Sequence, residues 1–271
     1  GIPVIEEFFG AGLARELAAQ GWRADLIVAN NVLAHVPDIN DFARGFEILL
    51  KPDRVATFEF PHLMRMIEET QFDTIYHEHY SYLSLSAANR IFQQAGLEIF
   101  DVEEIPTHGG SLRVYAQKRA TGRQPRTPAV DSLLQREAEA GMGTRSFYQG
   151  FQAEADRIKY DFLSFLLRMK REGRKVAAYG AAAKGNTLLN YAGVKRDLLS
   201  YVCDAAPSKQ GKYLPGSRIP ILPPGALDEN RPDIIVILPW NIAEEVVRQH
   251  GYARQWGGRF AVAIPKMEIF S

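Results

Sequence analysis

Acidic and basic side chains balance at 32 each in 271 residues, and a chain with no net charge has no general pull on a polyanion, which argues against a nucleic-acid partner. The 46% hydrophobic and 24% charged content is that of a soluble globular chain large enough for more than one core. No apolar run reaches the roughly 20 residues of a membrane helix, "GIPVIEEFFG" shows no basic-then-apolar leader pattern, and the single cysteine, Cys203, excludes internal disulfides and thiolate metal clusters. A cytoplasmic, monomeric protein is the expectation.

In chain order, "IPVIEEFF" reads as a strand, "GLARELAAQGW" as a short helix stopped by Gly21, and "ADLIVANNVLAHV" as a buried strand. "INDFARGFEILLKPD" sets Phe42, Phe46, Leu49 and Leu50 on one helical stripe, which Pro52 closes, and "RVATFEFP" is the next strand. "SAANRIFQQAGLEIFDVEEI" predicts a helix capped by Ser86 and stopped by Gly96, then a strand; "GGSLRVYAQK" alternates like a sheet-edge strand. Alternating β and α elements with short connections predict a parallel or mostly parallel sheet. The proline- and arginine-bearing stretch 119–129 reads as a linker, and the apolar stripe Phe151, Ala155, Ile158, Phe162, Phe165, Leu166 and Met169 as a long amphipathic helix. A second α/β unit follows, with strands at "KVAAYG", "LLSYVCD", "PDIIVILPW" and "RFAVAIP" and helices at "AAAKGNTLLNYAG" and "NIAEEVVRQHG". The predicted domains are 1–118, a linker with a long helix over 119–172, and 173–271.

Two segments point to chemistry. In "GAAAKGNT", Gly180 and Gly185 have the outer spacing of a dinucleotide fingerprint, but Ala182 replaces the middle glycine, and Asn186 stands where a P-loop needs lysine. A strand-to-helix turn of this kind presents backbone amides to phosphates, so Gly180, Lys184, Gly185, Asn186 and Thr187 are candidate ligand contacts. Asp204, ending the next strand, lies at the distance of a ribose-binding carboxylate, and Lys209, Lys212 and Arg218 follow it. The other reading of the loop is a tight turn that binds nothing. "FDTIYHEHYSYLS" packs Tyr76, His77, Glu78 and His79 together. The H-x-H spacing suits a metal, but no further ligands follow at useful spacing, so no metal is expected; imidazole, carboxylate and phenol suit acid/base work near neutral pH better. His108 in "THGGS" and His62 in "EFPHL" are further candidates at loop positions, whereas His250 reads as structural.

"NNVLAHVPDINDF", "LLKPDRVATFEFPHL", "QFDTIYHEHYSYLS", "PTHGGSLRVYA" and "GAAAKGNTLLNY", in this order, resemble a family of S-adenosylmethionine-dependent sugar C-methyltransferases, and most closely those acting at C-3 of nucleotide deoxysugars. The family is similar over nearly the whole chain. It has a zinc-binding N-terminal module, a class I methyltransferase domain and a C-terminal Rossmann-like domain for the nucleotide sugar. The resemblance begins near the third strand of the middle domain, so zinc is expected only in a module these residues do not include. It implies an α/β fold of two Rossmann-like units, the first an incomplete methyltransferase sheet. It further implies that Phe8 and Phe9 lie beside the adenine end of S-adenosylmethionine, and that Asn30, Asn31 and His35 line the wall near its sulfur. His79 would be the base that removes the proton beside a 4-ketone, with Tyr76 on the enolate oxygen, Glu78 orienting sugar or imidazole, His77 in reserve and His108 against the sugar ring. The alternatives are an NAD-dependent oxidoreductase built on the glycine loop and Asp204, and a non-catalytic module that binds nucleotide sugars.

Overall fold

The structure is a computed structural model, and it describes residues 1–270. The chain forms two compact α/β units: 1–68 with 77–148, and 69–76 with 149–271.

In the first unit, α1 (Ala11–Ala19) leads into β1 (Ala24–Asn30), α2 (Ile39–Leu49) and β2 (Leu50–Pro61). α3 (Leu63–Glu68), α4 (Leu85–Gln94), β3 (Leu97–Ile105), β4 (Ser111–Lys118) and α5 (Pro128–Glu139) complete it. The sheet order is β1-β2-β4-β3; β1 and β2 run parallel, while β4 is antiparallel to both of its neighbours. α2 starts where the Asp38 carboxylate accepts from the amides of Asn40 and Asp41, satisfying two donors that a helix start leaves open. Its apolar face then carries Phe46 onto Phe58 of β2, and Phe58 meets Phe92 of α4, each ring pair 4.4 Å apart. All three rings are buried, each contributing about 1.5–3 kcal/mol by leaving water. α4 is held twice at its N-terminus. Ser84 Oγ accepts from Ala87 N, and Glu137, reaching over from α5, accepts from the amides of Leu85 and Ser86, from Ser86 Oγ and from His62 Nε2.

Here the sequence reading needs correction. Residues 1–9 form no strand: β1 pairs only with β2, and Ile2 and Val4 are 90% and 79% exposed, without a neighbouring strand to hydrogen-bond. The sheet is mixed rather than mostly parallel, and β4 is interior rather than an edge, with Leu112, Val114 and Ala116 fully buried between β2 and β3. Pro52 lies inside β2 instead of closing α2, and Ser84, not Ser86, caps α4. α5 rises inside the expected linker, with Pro128 in its first turn, a position where a missing N–H costs nothing. His62 is buried against Glu137 and is a structural residue, not a ligand-edge one.

The second unit opens with α6 (Phe151–Arg171), whose buried stripe Ala155, Ile158, Phe162, Phe165, Leu166 and Met169 follows the predicted periodicity. β5 (Val176–Tyr179), α7 (Ala183–Tyr191), β6 (Val202–Cys203), β7 (Ile221–Leu222) and α8 (Ala226–Asn230) come next. β8 (Ile234–Ile237), α9 (Ala243–Gln249), β9 (Arg259–Val262) and β10 (Glu268–Phe270) finish it. The order β10-β9-β8-β5-β6-β7, parallel except for β10, is that of a doubly wound Rossmann sheet, whose strand order reverses between β5 and β8. Both faces are covered, so the strands are apolar runs: Ile234, Ile235 and Val236 are fully buried. His250 is buried and stacks 4.4 Å from Tyr179, and burial holds its imidazole below the usual range, as suits a core residue. Among the described residues no helix is long and apolar enough to cross a membrane, and no three His, Cys, Asp or Glu side chains are grouped to hold a metal ion.

Candidate active site

In the first unit the site grows from the carboxyl end of β1. Asn31 takes a left-handed φ of 55°, which asparagine tolerates better than most residues, and its amide donates to Glu59 O. The chain then turns through a short 3₁₀ segment, Leu33–His35. Ala34 O accepts from the amides of Tyr80 and Ser81, laying the second half of the histidine segment along this turn. His35 Nδ1 lies 3.0 Å from Glu78 O. A carbonyl only accepts, so Nδ1 carries a hydrogen, and in the neutral tautomer Nε2 is the acceptor. The His35 and His79 rings meet edge-on at 4.7 Å, and His79 meets Tyr82 at 5.8 Å. His79 is half-buried, whereas His77 and Glu78 are exposed.

His108 sits exposed in the turn Thr107–Gly109 with φ at 57°. That turn hangs on Glu59, a buried carboxylate of β2 that accepts from Thr107 Oγ1 at 3.2 Å and Arg113 Nη2 at 2.9 Å. Sequence reasoning missed Glu59; a lone acid in the apolar run "VATFEFP" was its one signal. Phe9 packs its ring on Phe42 and Phe46, while Phe8 is fully exposed. Both line a cavity of about 410 Å³ together with Gly10, Val36, Asp38 and Phe42. The structure thus gathers Phe8 and Phe9 with the turn that follows His35.

In the second unit the site lies at the carboxyl ends of β5 and β8, the switch point where open α/β sheets bind ligands. A Cβ on Gly180 (φ 91°) would meet Pro239 Cδ at 2.4 Å, and one on Gly185 would meet Leu238 Cβ at 2.6 Å. The two glycines let the outlet of β8 close onto the loop. Gly180→Ala is therefore expected to cost about 2–4 kcal/mol of this unit's stability in urea unfolding, from backbone strain and overpacking together. No side chain caps α7, so its first-turn amides have no side-chain acceptor at the helix start. Asn186 Oδ1 is buried with no hydrogen-bond partner, an acceptor whose isolation costs about 1–3 kcal/mol until a donor arrives. Thr187 bonds back to Ala183 O within the helix.

Asp204 braces the loop, accepting from the amides of Ala181 and Ala206 and from Lys209 Nζ, which also reaches Ala181 O. Lys184 donates to Asn241 Oδ1 and rests 4.6 Å over the Trp240 ring. Trp240 Nε1 donates at 2.8 Å to Asp73, a fully buried carboxyl that burial pushes up to about 6 against the pull of Lys184 and the indole N–H. Burial likewise pulls the Lys184 ammonium down, and Asp73 partly offsets it. Asp73, Trp240 and Asn241 were not legible as site residues. The stretch 69–76 belongs to this unit, so Tyr76 lies here while His77, Glu78 and His79 lie in the first.

A doubly wound nucleotide-type sheet with an uncapped helix at its switch point, carried by the same chain as a mixed α/β unit with paired imidazoles at a strand outlet, defines a class of two-unit α/β proteins. Residues 106–265 match the family described as C-methyltransferase C-terminal domain, and residues 6–102 match a methyltransferase domain. The chain belongs to the C-methyltransferase family. It is 35% identical over 271 residues to C-methyltransferase NovU of Streptomyces niveus, a match covering all of this chain and 64% of that one, so the chain spans just under two thirds of that relative's length. Partial structural likenesses include a methyltransferase in complex with the Haloferax volcanii Trm112 activator (TM-score 0.32, 11% identity, 36% of this chain and 55% of that one). A putative S-adenosylmethionine-dependent methyltransferase from Listeria monocytogenes is similar at TM-score 0.29 and 12% identity, over 36% of this chain and 62% of that one.

Proposed function

We propose that the protein transfers a methyl group to the carbon beside the ketone, C-3, of a nucleotide-linked 4-keto deoxysugar. The observation that carries this reading is the pairing of His79 with His35 at the outlet of β1, in a chain of the C-methyltransferase family. His79 takes the proton from the carbon next to the ketone, and the electron pair of that C–H bond moves into the enolate. Tyr76 donates a hydrogen bond to the enolate oxygen, where charge develops. His35, with its hydrogen held on Nδ1 by Glu78 O, keeps the His79 ring in place. Phe8 and Phe9 would hold S-adenosylmethionine, which would supply an electrophilic methyl group and leave as S-adenosylhomocysteine, the pair of the S–CH3 bond returning to sulfur. The residues present suit its adenine end: the exposed Phe8 ring lines an open cavity beside the turn after β1. In the second unit the uncapped first turn of α7 and the unpartnered Asn186 Oδ1 support a role in holding a nucleotide, and Lys209 and Asp204 hold the loop in shape.

The full-length protein given S-adenosylmethionine and a thymidine-diphosphate 4-keto-deoxysugar is expected to form a product heavier by one methylene unit, with the new methyl on carbon by ¹³C NMR. Methyl found on oxygen or nitrogen overturns the enolate chemistry.

A further inference from the structure

The segment that precedes His77 is built into the C-terminal unit by contacts that the proposed chemistry does not use. Phe72 lies 5.2 Å from the Tyr191 ring of α7. A tight turn follows, with the amides of Thr74 and Ile75 donating to Gln71 O and Phe72 O. Between these, Asp73 is fully buried, and its Oδ2 accepts the indole N–H of Trp240. Trp240 follows β8 after Leu238 and Pro239, and its ring face carries the Lys184 ammonium. One indole thus holds a cation of the glycine loop on its face and a buried carboxylate at its N–H edge, an arrangement in which each contact strengthens the other. An acid would not be left in a site this dry for packing alone, because an isolated buried carboxylate is costly. That cost is only partly met, since Asp73 Oδ1 is buried without a hydrogen-bond partner, and burial accordingly raises the carboxyl's proton affinity. Three residues after Asp73 the chain reaches Tyr76, still within this unit.

We propose that Asp73 is a positioning residue for Tyr76, and that Trp240 ties it to the nucleotide loop. This rests on the role of Tyr76 proposed above. The carboxylate fixes the turn 71–75 against β8, and the turn fixes where the phenol leaves it. The indole also makes that position answerable to Lys184, so the state of the loop and the place of Tyr76 are set by one side chain.

Trp240→Phe separates the two functions of the indole, because phenylalanine keeps a ring face for Lys184 and loses the N–H. Amide exchange at Thr74 and Ile75 is expected to quicken about tenfold or more, while thymidine diphosphate binds within about threefold of the parent. In the full-length protein kcat falls about tenfold with little change in KM for the nucleotide sugar, the mark of a group that acts after binding. Asp73→Asn keeps an oxygen for the indole N–H and holds exchange and turnover near the parent; Asp73→Ala loses both. Parent-like exchange in Trp240→Phe, or Asp73→Asn as harmful as Asp73→Ala, overturns the proposal. In the unmutated protein the Trp240 Nε1–H is expected to exchange slowly, and a rapidly exchanging indole N–H overturns it without any variant. A loosened turn with undiminished turnover removes Tyr76 from the chemistry, and Asp73 from its role with it, while leaving methyl transfer itself to stand.

Discussion

His79→Asn in the full-length protein is expected to abolish exchange of the substrate's C-3 hydrogen with solvent deuterium, a loss of about 10²–10⁴-fold. Asparagine fills much the same space and keeps a hydrogen-bonding edge, but near neutral pH it takes up no proton. The ring it replaces packs edge-on to His35, a second imidazole whose Nδ1–H is spent on Glu78 O. That neighbour makes the experiment sharp. Exchange measured by NMR in deuterated buffer, with the methyl donor withheld, isolates proton removal from methyl transfer. Exchange at the parent rate transfers the role of base to His35 or His77, and the double variant with His35→Asn then distinguishes the two.

The largest effect on stability is expected at Glu137→Ala. The carboxylate is about 1% exposed, pairs with His62 at 2.8 Å, and accepts from the Leu85 and Ser86 amides at 2.6 and 2.8 Å. Its removal strands a buried imidazole and two helix-start amides together, a cost of about 3–5 kcal/mol. Burial tends to raise this carboxyl, but the hydrogen bonds from His62, Ser86 and Leu85 outweigh it and hold the group below its usual range. A carboxyl depressed in the folded state contributes stability that is complete above its unfolded pKa, near 4.5, and is lost as the pH falls from there through the folded value. Urea titrations of the first unit at pH 7 and at about pH 4 check both parts: the variant's deficit is expected to be full at neutral pH and smaller in acid. An equal deficit at both pH values assigns the loss to packing and not to charge.

The α/β class and most helices of both units were legible because they rest on local periodicity. The stripe from Ala155 to Met169 is buried as spaced, and Gly21 and Gly96 stop their helices at φ 85°. What was not legible depends on partners distant in sequence. β4 alternates like an edge strand, yet it is interior, because its neighbours β2 and β3 pair with it from both sides. The charge pattern of α5 gives no sign that Glu137 caps a helix fifty residues earlier. In the glycine loop the spacing of Gly180 and Gly185 was visible, but its cause, the approach of Pro239 and Leu238, was not. The histidine segment stood out by composition alone. Its partner His35 was placed near the donor by resemblance, while the bond that orients it required the fold.

The stretch 69–76 has a consequence for how the chain can be taken apart. It belongs to the C-terminal unit, although two of the first unit's four strands, β3 and β4, follow it in sequence. No single cleavage of the polypeptide yields both units whole: a fragment that starts at residue 149 lacks Phe72 against Tyr191 and Asp73 under Trp240. The dependence runs one way, since residues 1–148 hold the whole of the first unit, and the C-terminal fragment should be restored by the missing octapeptide supplied in trans.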